Sequence, residues 1–209
     1  MEPFLISLYQ LHEGIMPFHK LGQLCEATKN ELLTLTQQNP TFDTKCYSRN
    51  EILLQQGQVQ RHGFFIHSGK LVSSVVNETG ELRHKEFYFA GELCILFAEW
   101  IQKSPSFYQI SALDDAKIVL VPLAELEQDN LRALKLKLLE QQLLFKEAKE
   151  AFLLLNTLEQ RYCFLRDERP HWINGLANYD LANYLGVTPQ GLSRLKSRVN
   201  KAQSTTTKC

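Results

Sequence analysis

The chain has 209 residues, 44% of them hydrophobic, and 23 basic side chains balance 23 acidic ones. That is enough apolar material for one large domain or two smaller ones, and two are expected. No apolar run approaches the roughly 18 residues needed to cross a bilayer, and no basic segment followed by an apolar stretch opens the chain, so a cytoplasmic protein is expected.

Five cysteines (Cys25, Cys46, Cys94, Cys163, Cys209) lie at wide, irregular spacings without a Cys-x-x-Cys pair. Neither a zinc site nor a disulfide framework is indicated. The six histidines form no His-x-x-x-His pair either. No metal, cofactor or catalytic residue is therefore expected, and the chain shows no phosphate-loop signature or recognisable Ser/His/Asp context that would mark an enzyme.

In chain order, residues from about Phe18 to Gln37 carry apolar positions among polar ones and suggest one or two short helices. Between Cys46 and Val121 the pattern changes to short β-rich runs: Ile52-Leu54, Phe64-His67, Leu71-Val76, Leu82-Phe89, Tyr108-Leu113 and Lys117-Val121. Gly57, Gly69, Gly80 and Gly91 separate them at steps of 12, 11 and 11 residues. A strand-turn-strand period of that size predicts an antiparallel sandwich or roll, with glycine supplying the positive φ of each turn.

A single turn at Leu123 to Leu126 and a polar cap at Asp129-Asn130 precede a long helix. Alternating steps of three and four give Leu131, Leu134, Leu138, Gln141, Phe145, Ala148 and Phe152, an a/d seam that predicts pairing with the same helix of a second chain. A helix buried wholly within its own chain is the alternative. Thr157-x-x-Gln160 fits a capping box, which places a hinge at Asn156-Thr157 and starts a new helix ending near Arg169-Pro170.

Charge is segregated along the chain. From Asn156 onward eight basic and four acidic residues leave a surplus of four positive charges, and from Thr188 to the end there are five basic residues and no acidic one. A basic tip of this kind suits contact with phosphates.

Two short helices are legible between Asn178 and Lys201. Asn178 is expected to cap the first, with Leu181, Ala182 and Leu185 facing inward and Gly186 ending it in the left-handed conformation. Thr188 caps the second, and Pro189 takes its first position, where a missing N–H costs nothing. Leu192, Leu195 and Val199 repeat inward, which leaves Gln190, Ser193, Arg194 and Ser197 outward. The short Ala182 allows two helices to cross closely, as a helix-turn-helix requires. Arg194 and Gln190 are the expected base readers, since Arg forks onto guanine and Gln onto adenine. Thr188, Ser193, Lys196, Arg198 and Lys201 are expected mostly to hold phosphates.

The run Tyr184-Leu185-Gly186-Val187-Thr188-Pro189-Gln190-Gly191-Leu192-Ser193-Arg194, together with the order β-roll, long helix and helix-turn-helix, resembles the Crp/Fnr superfamily of bacterial transcription regulators. The resemblance implies an α+β fold: an N-terminal antiparallel β-roll of cyclic-nucleotide-binding-like jelly-roll type, a long dimerisation helix, and a C-terminal helix-turn-helix of winged-helix type with a reduced wing. Residues 1–127 form the expected sensor domain, 128–155 the dimerisation helix and 156–209 the DNA-binding domain. In such proteins the residues at the places of Gln190, Ser193 and Arg194 meet bases of a two-fold-related site.

Phe89-Ala90-Gly91-Glu92-Leu93 is similar to the start of that family's cyclic-nucleotide cassette, which makes Gly91, Glu92 and Leu93 the effector-binding candidates. The cassette's phosphate-binding arginine is missing, because no Arg or Lys occurs from Ser104 to Ala116. Cyclic AMP is therefore not the expected effector. Only Cys25 and Cys46 are available where redox-sensing members cluster iron–sulfur ligands, so no such centre is expected. The partners implied are palindromic double-stranded DNA, a second copy of the chain, RNA polymerase and an unidentified small-molecule effector. The competing function is a small-molecule-binding module whose C-terminal helices mediate protein contacts.

Overall fold

The computed structural model describes residues 19–39 and 42–206, with side chains at 24–39, 42–167 and 169–199. Two compact units share the described residues: one within 23–143, and one formed by 144–206 with 19–22.

Among the described residues the first unit is a roll of two four-stranded antiparallel sheets preceded by one helix, α1 (His19–Gln38), where one or two were expected. The strands are β1 (Thr44–Tyr47), β2 (Ile52–Leu54), β3 (His62–Ser68), β4 (Lys70–Val76), β5 (Leu82–Phe89), β6 (Leu93–Cys94), β7 (Gln109–Ala112) and β8 (Ala116–Pro122). One sheet has the order β1-β8-β3-β6 and the other β2-β7-β4-β5. All six predicted strands are present. The short β1 and β6 and the helix α2 (Phe97–Gln102) carried too little periodicity to be read.

The side-chain period of two sorts β3 into two cores. Phe64 and Ile66 point between the sheets, where they meet Leu71, Cys94, Leu96, Ile110 and Ile118. Phe65, one residue out of step, lies on the other face with Leu32, Ile95, Trp100, Val121, Leu134 and Leu138. A strand covered on both faces explains the unbroken apolar run in its sequence. The four turn glycines have φ between +80° and +89°. At Gly69 the demand is also spatial, since an added Cβ would sit 2.6 Å from the Asp115 carbonyl oxygen.

Two 3-10 turns, Glu125–Glu127 and Asp129–Leu131, lead into α3 (Arg132–Leu155). Asp129-Asn130 thus belongs to a 3-10 turn that precedes the helix. In the roll's part of α3, Leu134 and Leu138 are buried in the roll's second core. In the other unit's part, Ala148 and Phe152 are buried and Phe152 packs on Phe164 at 5.1 Å. The seam predicted from sequence is therefore largely covered by its own chain, and the reason is that a stripe facing a sheet and a stripe facing a partner have the same spacing. Leu131, Gln141 and Phe145 are half-buried. Exposed instead are Leu136, Glu140 and Leu143 in the roll's part, and Glu147, Glu150 and Leu154 in the other.

Among the described residues the second unit has four further helices: α4 (Leu158–Glu168), α5 (Pro170–Gly175), α6 (Asn178–Leu185) and α7 (Pro189–Thr206). The capping box forms as expected at the start of α4, where Gln160 Oε1 accepts from Thr157 N and Thr157 Oγ1 accepts from Gln160 N. Arg161 Nε donates to the Asn156 carbonyl at 3.0 Å, so a cation from α4 satisfies the end of α3 at the break. The described residues end with α7, and the reduced wing expected beyond it lies outside them.

Candidate nucleic-acid interface

Apolar packing of α6 against α7 presents the outward face. Leu181, Ala182 and Leu185 from α6 and Leu192, Leu195 and Val199 from α7 are all buried. Leu165, Trp172 and Leu176 from α4, α5 and the following loop join them in the interior. Ala182 is fully buried where the helices approach, which fits the requirement for a short side chain.

Gly186 adopts φ +73°, with Val187 N donating to the Ala182 carbonyl at 3.0 Å and Gly186 N to Asn183 at 3.1 Å. This two-bond closure ends α6 and turns the chain into α7 within three residues. Thr188 Oγ1 accepts from Gly191 N at 3.0 Å, and Pro189 opens the helix.

Asn178 departs from its expected role. The cap position belongs to Ala177 and carries no side-chain bond. Asn178 lies inside the first turn, and its Nδ2 donates across to the Pro189 carbonyl at 3.2 Å and to Ser193 Oγ at 3.4 Å. A residue type read as a local cap makes a contact between helices, which sequence spacing does not reveal.

Gln190, Ser193, Arg194, Ser197 and Arg198 are exposed, and Lys196 is half-buried. Ser193, Arg194, Ser197 and Arg198 line one shallow open depression along α7. Ser193 Oγ donates to the Pro189 carbonyl at 2.9 Å and Ser197 Oγ to the Ser193 carbonyl at 3.0 Å. Burial moves the Lys196 ammonium below its usual pKa. Arg198 Nη2 pairs with Glu159 at 2.8 Å, both side chains being largely exposed. Arg194 makes no hydrogen bond or ion pair among the described residues. Lys201 lies on α7, but its side chain falls outside the described residues.

The effector candidates sit at the β5-β6 turn. Gly91 has φ +85° and donates its N–H to Ile66, and Glu92 Oε2 accepts from Phe89 N at 3.1 Å. The Glu92 carboxylate thereby serves its own turn. Leu93 is half-buried beside the second core. Where a cassette arginine would stand, Ser106 Oγ bonds to the Tyr108 carbonyl and accepts from Tyr108 N at 3.1 Å. Ser106 N donates to Gln58 at 2.7 Å and Glu99 Oε1 accepts from Phe107 N at 3.4 Å. One cation does approach from another strand, since Lys85 Nζ lies 3.8 Å over the Tyr108 ring. Lys85 lies on β5, outside the 104–116 stretch, and strand pairing brings it there.

A β-roll, a long helix and a helix-turn-helix with this outward face are the parts of a Crp/Fnr-type regulator, and the chain is similar in sequence to regulatory proteins and in fold to solved structures of this kind. No protein-family model matches it. It is 28% identical over 173 residues to the anaerobic regulatory protein of Aggregatibacter actinomycetemcomitans, covering 75% of this chain and 66% of that protein, somewhat under two thirds of its length. The anaerobic regulatory protein of Haemophilus influenzae is 28% identical over 201 residues, covering 87% of this chain and 76% of the relative. The regulatory protein HlyX of Actinobacillus pleuropneumoniae is 27% identical over 199 residues, covering 87% and 82%.

Among solved structures, FixK2 from Bradyrhizobium japonicum aligns with a TM-score of 0.61 at 18% identity, over 78% of this chain and 86% of that one. A CooA mutant from Carboxydothermus hydrogenoformans aligns at 0.60 and 16% identity, over 77% of each chain. These structural likenesses establish the fold. No helix among the described residues is long and apolar enough to cross a membrane.

Proposed function

We propose that the chain is a cytoplasmic, homodimeric transcription regulator that binds a two-fold-related DNA site in sequence-specific fashion. The observation that carries this reading is the outward face of α7. Gln190, Ser193, Arg194, Ser197 and Arg198 are exposed along a helix whose opposite side is locked into an apolar core. A rigid helix with an acid-free, cationic outer face fits the major groove.

Arg194 and Gln190 read base edges in this account, and Thr188, Lys196, Ser197, Arg198 and Lys201 hold phosphates. Dimerisation uses α3, through its exposed row of Leu136, Leu143 and Leu154. Glutamates at 140, 147 and 150 interrupt that row, so the pairing is weaker than a continuous leucine seam would give. Residues 1–127, 128–155 and 156–209 keep their assigned roles of sensor, dimer helix and DNA-binding domain. Gly91, Glu92 and Leu93 mark the effector region of the roll. Cyclic AMP is not its ligand, because Glu92 is engaged with its own backbone and a serine turn replaces the phosphate-binding arginine. An unidentified effector and RNA polymerase are the remaining partners.

The test is selection of bound duplexes from a randomised pool by the purified chain. A preferred palindromic site, bound more weakly as salt rises and lost in Arg194→Ala, supports the reading. Equal affinity for all duplexes overturns it.

A further inference from the structure

We infer that Asn178 is a positioning residue that fixes Ser193 as a hydrogen-bond acceptor, so that Ser193 meets the exocyclic amine of a base. The inference rests on the DNA-binding reading above; of the two contacts expected of Ser193, with phosphate and with a base, it selects the base contact and gives its polarity.

A serine hydroxyl has one hydrogen to give and two lone pairs. In this chain Ser193 Oγ gives its hydrogen to the Pro189 carbonyl, one turn back on α7, at 2.9 Å. One lone pair faces Asn178 Nδ2 at 3.4 Å, from the first turn of α6. The same amide reaches the Pro189 carbonyl at 3.2 Å, so a single side chain closes a three-cornered network over the start of the recognition helix. One lone pair is left on Ser193, and Ser193 is exposed.

A phosphate oxygen is acceptor only and needs a donor, which Ser193 in this state does not offer. Of the groups on the floor of the major groove, the N6 amine of adenine and the N4 amine of cytosine are donors, whereas guanine O6 and thymine O4 are acceptors. Ser193 therefore selects an amine-bearing base on the strand it faces. Arg194, next in sequence and donor only, favours guanine, so the two neighbours read opposite chemistry. Without Asn178, the Ser193 hydroxyl is freer to turn and to donate or accept alike, and the position loses its discrimination.

The experiment takes the preferred duplex of the wild-type chain, replaces each base pair in both half-sites in turn, and measures affinity for wild type, Ser193→Ala, Asn178→Ala and the double variant. Thermal melting checks that each variant is folded. At one symmetry-related position the wild type should prefer adenine or cytosine over thymine and guanine on one strand by about five- to a hundred-fold. Ser193→Ala and Asn178→Ala should each flatten that position while the one read by Arg194 keeps its preference. The double variant should lose no more than Ser193→Ala alone, the mark of a shared interaction.

A uniform loss across all duplexes in Asn178→Ala, additive losses in the double variant, or a preference for a keto base at the Ser193 position overturns the proposal while leaving the DNA reading intact. Failure of the wild-type chain to prefer any duplex overturns both.

Discussion

The β5-β7 region of the roll and the outer face of α7 use polar groups in opposite ways. In the roll, Glu92 bonds to its own turn and Ser106 to Tyr108. On α7 the side chains that could bind, Gln190 and Arg194 foremost, face solvent over a fully apolar backing. Polar groups satisfied at home hold a shape, and polar groups held rigidly outward await a partner. In the function proposed above, the face of α7 meets the polyanion and the roll, without the cassette arginine, takes no cyclic phosphate.

Substitutions separate the backing from the face. Leu192→Ala, at a fully buried position, should cost about 2–5 kcal/mol of stability in chemical denaturation and abolish DNA binding with it. Arg194→Ala should leave stability within about 0.5 kcal/mol. Its affinity for the preferred duplex should nevertheless fall by an amount equivalent to about 1–3 kcal/mol, read by fluorescence anisotropy. Thr188→Ala removes the bond to Gly191 N and should cost about 1 kcal/mol, measured as a shifted unfolding midpoint. The smallest effect falls on Arg198. Its pair with Glu159 is exposed, so Glu159→Gln should change stability by less than about 1 kcal/mol. By releasing Arg198 it should modestly raise affinity for any duplex, and that gain should fade as salt screens it. In the roll, millimolar cyclic AMP should leave the thermal midpoint unchanged, and a rise would remove the contrast between the roll and α7.

The fold was largely legible because its signals are local. Turn glycines at regular steps, a capping box at Thr157 and the Gly186-Val187-Thr188-Pro189 turn each follow from chemistry within a few residues. What escaped depends on contacts far apart in the chain. Leu134 and Leu138 have the spacing of a dimer seam but pack on Phe65 and Trp100, and no periodicity tells a sheet from a second helix as the partner. Asn178 has the composition of a cap and reaches Ser193, fifteen residues on. Lys85 comes to Tyr108 from a neighbouring strand. At the interface, outward placement of Gln190, Ser193, Arg194 and Ser197 followed from the helical period alone, whereas the hydrogen-bonded state of Ser193 needed three-dimensional placement.

Titration of wild type and Arg194→Ala against one selected palindromic duplex over a range of salt tests the central claim most directly. The account predicts two chains per duplex, a logarithm of affinity falling linearly with the logarithm of salt, and loss of preference for that duplex over random sequence in the variant. A variant that still prefers the selected duplex as strongly as wild type, or binding by a single chain to one half-site alone, would contradict it.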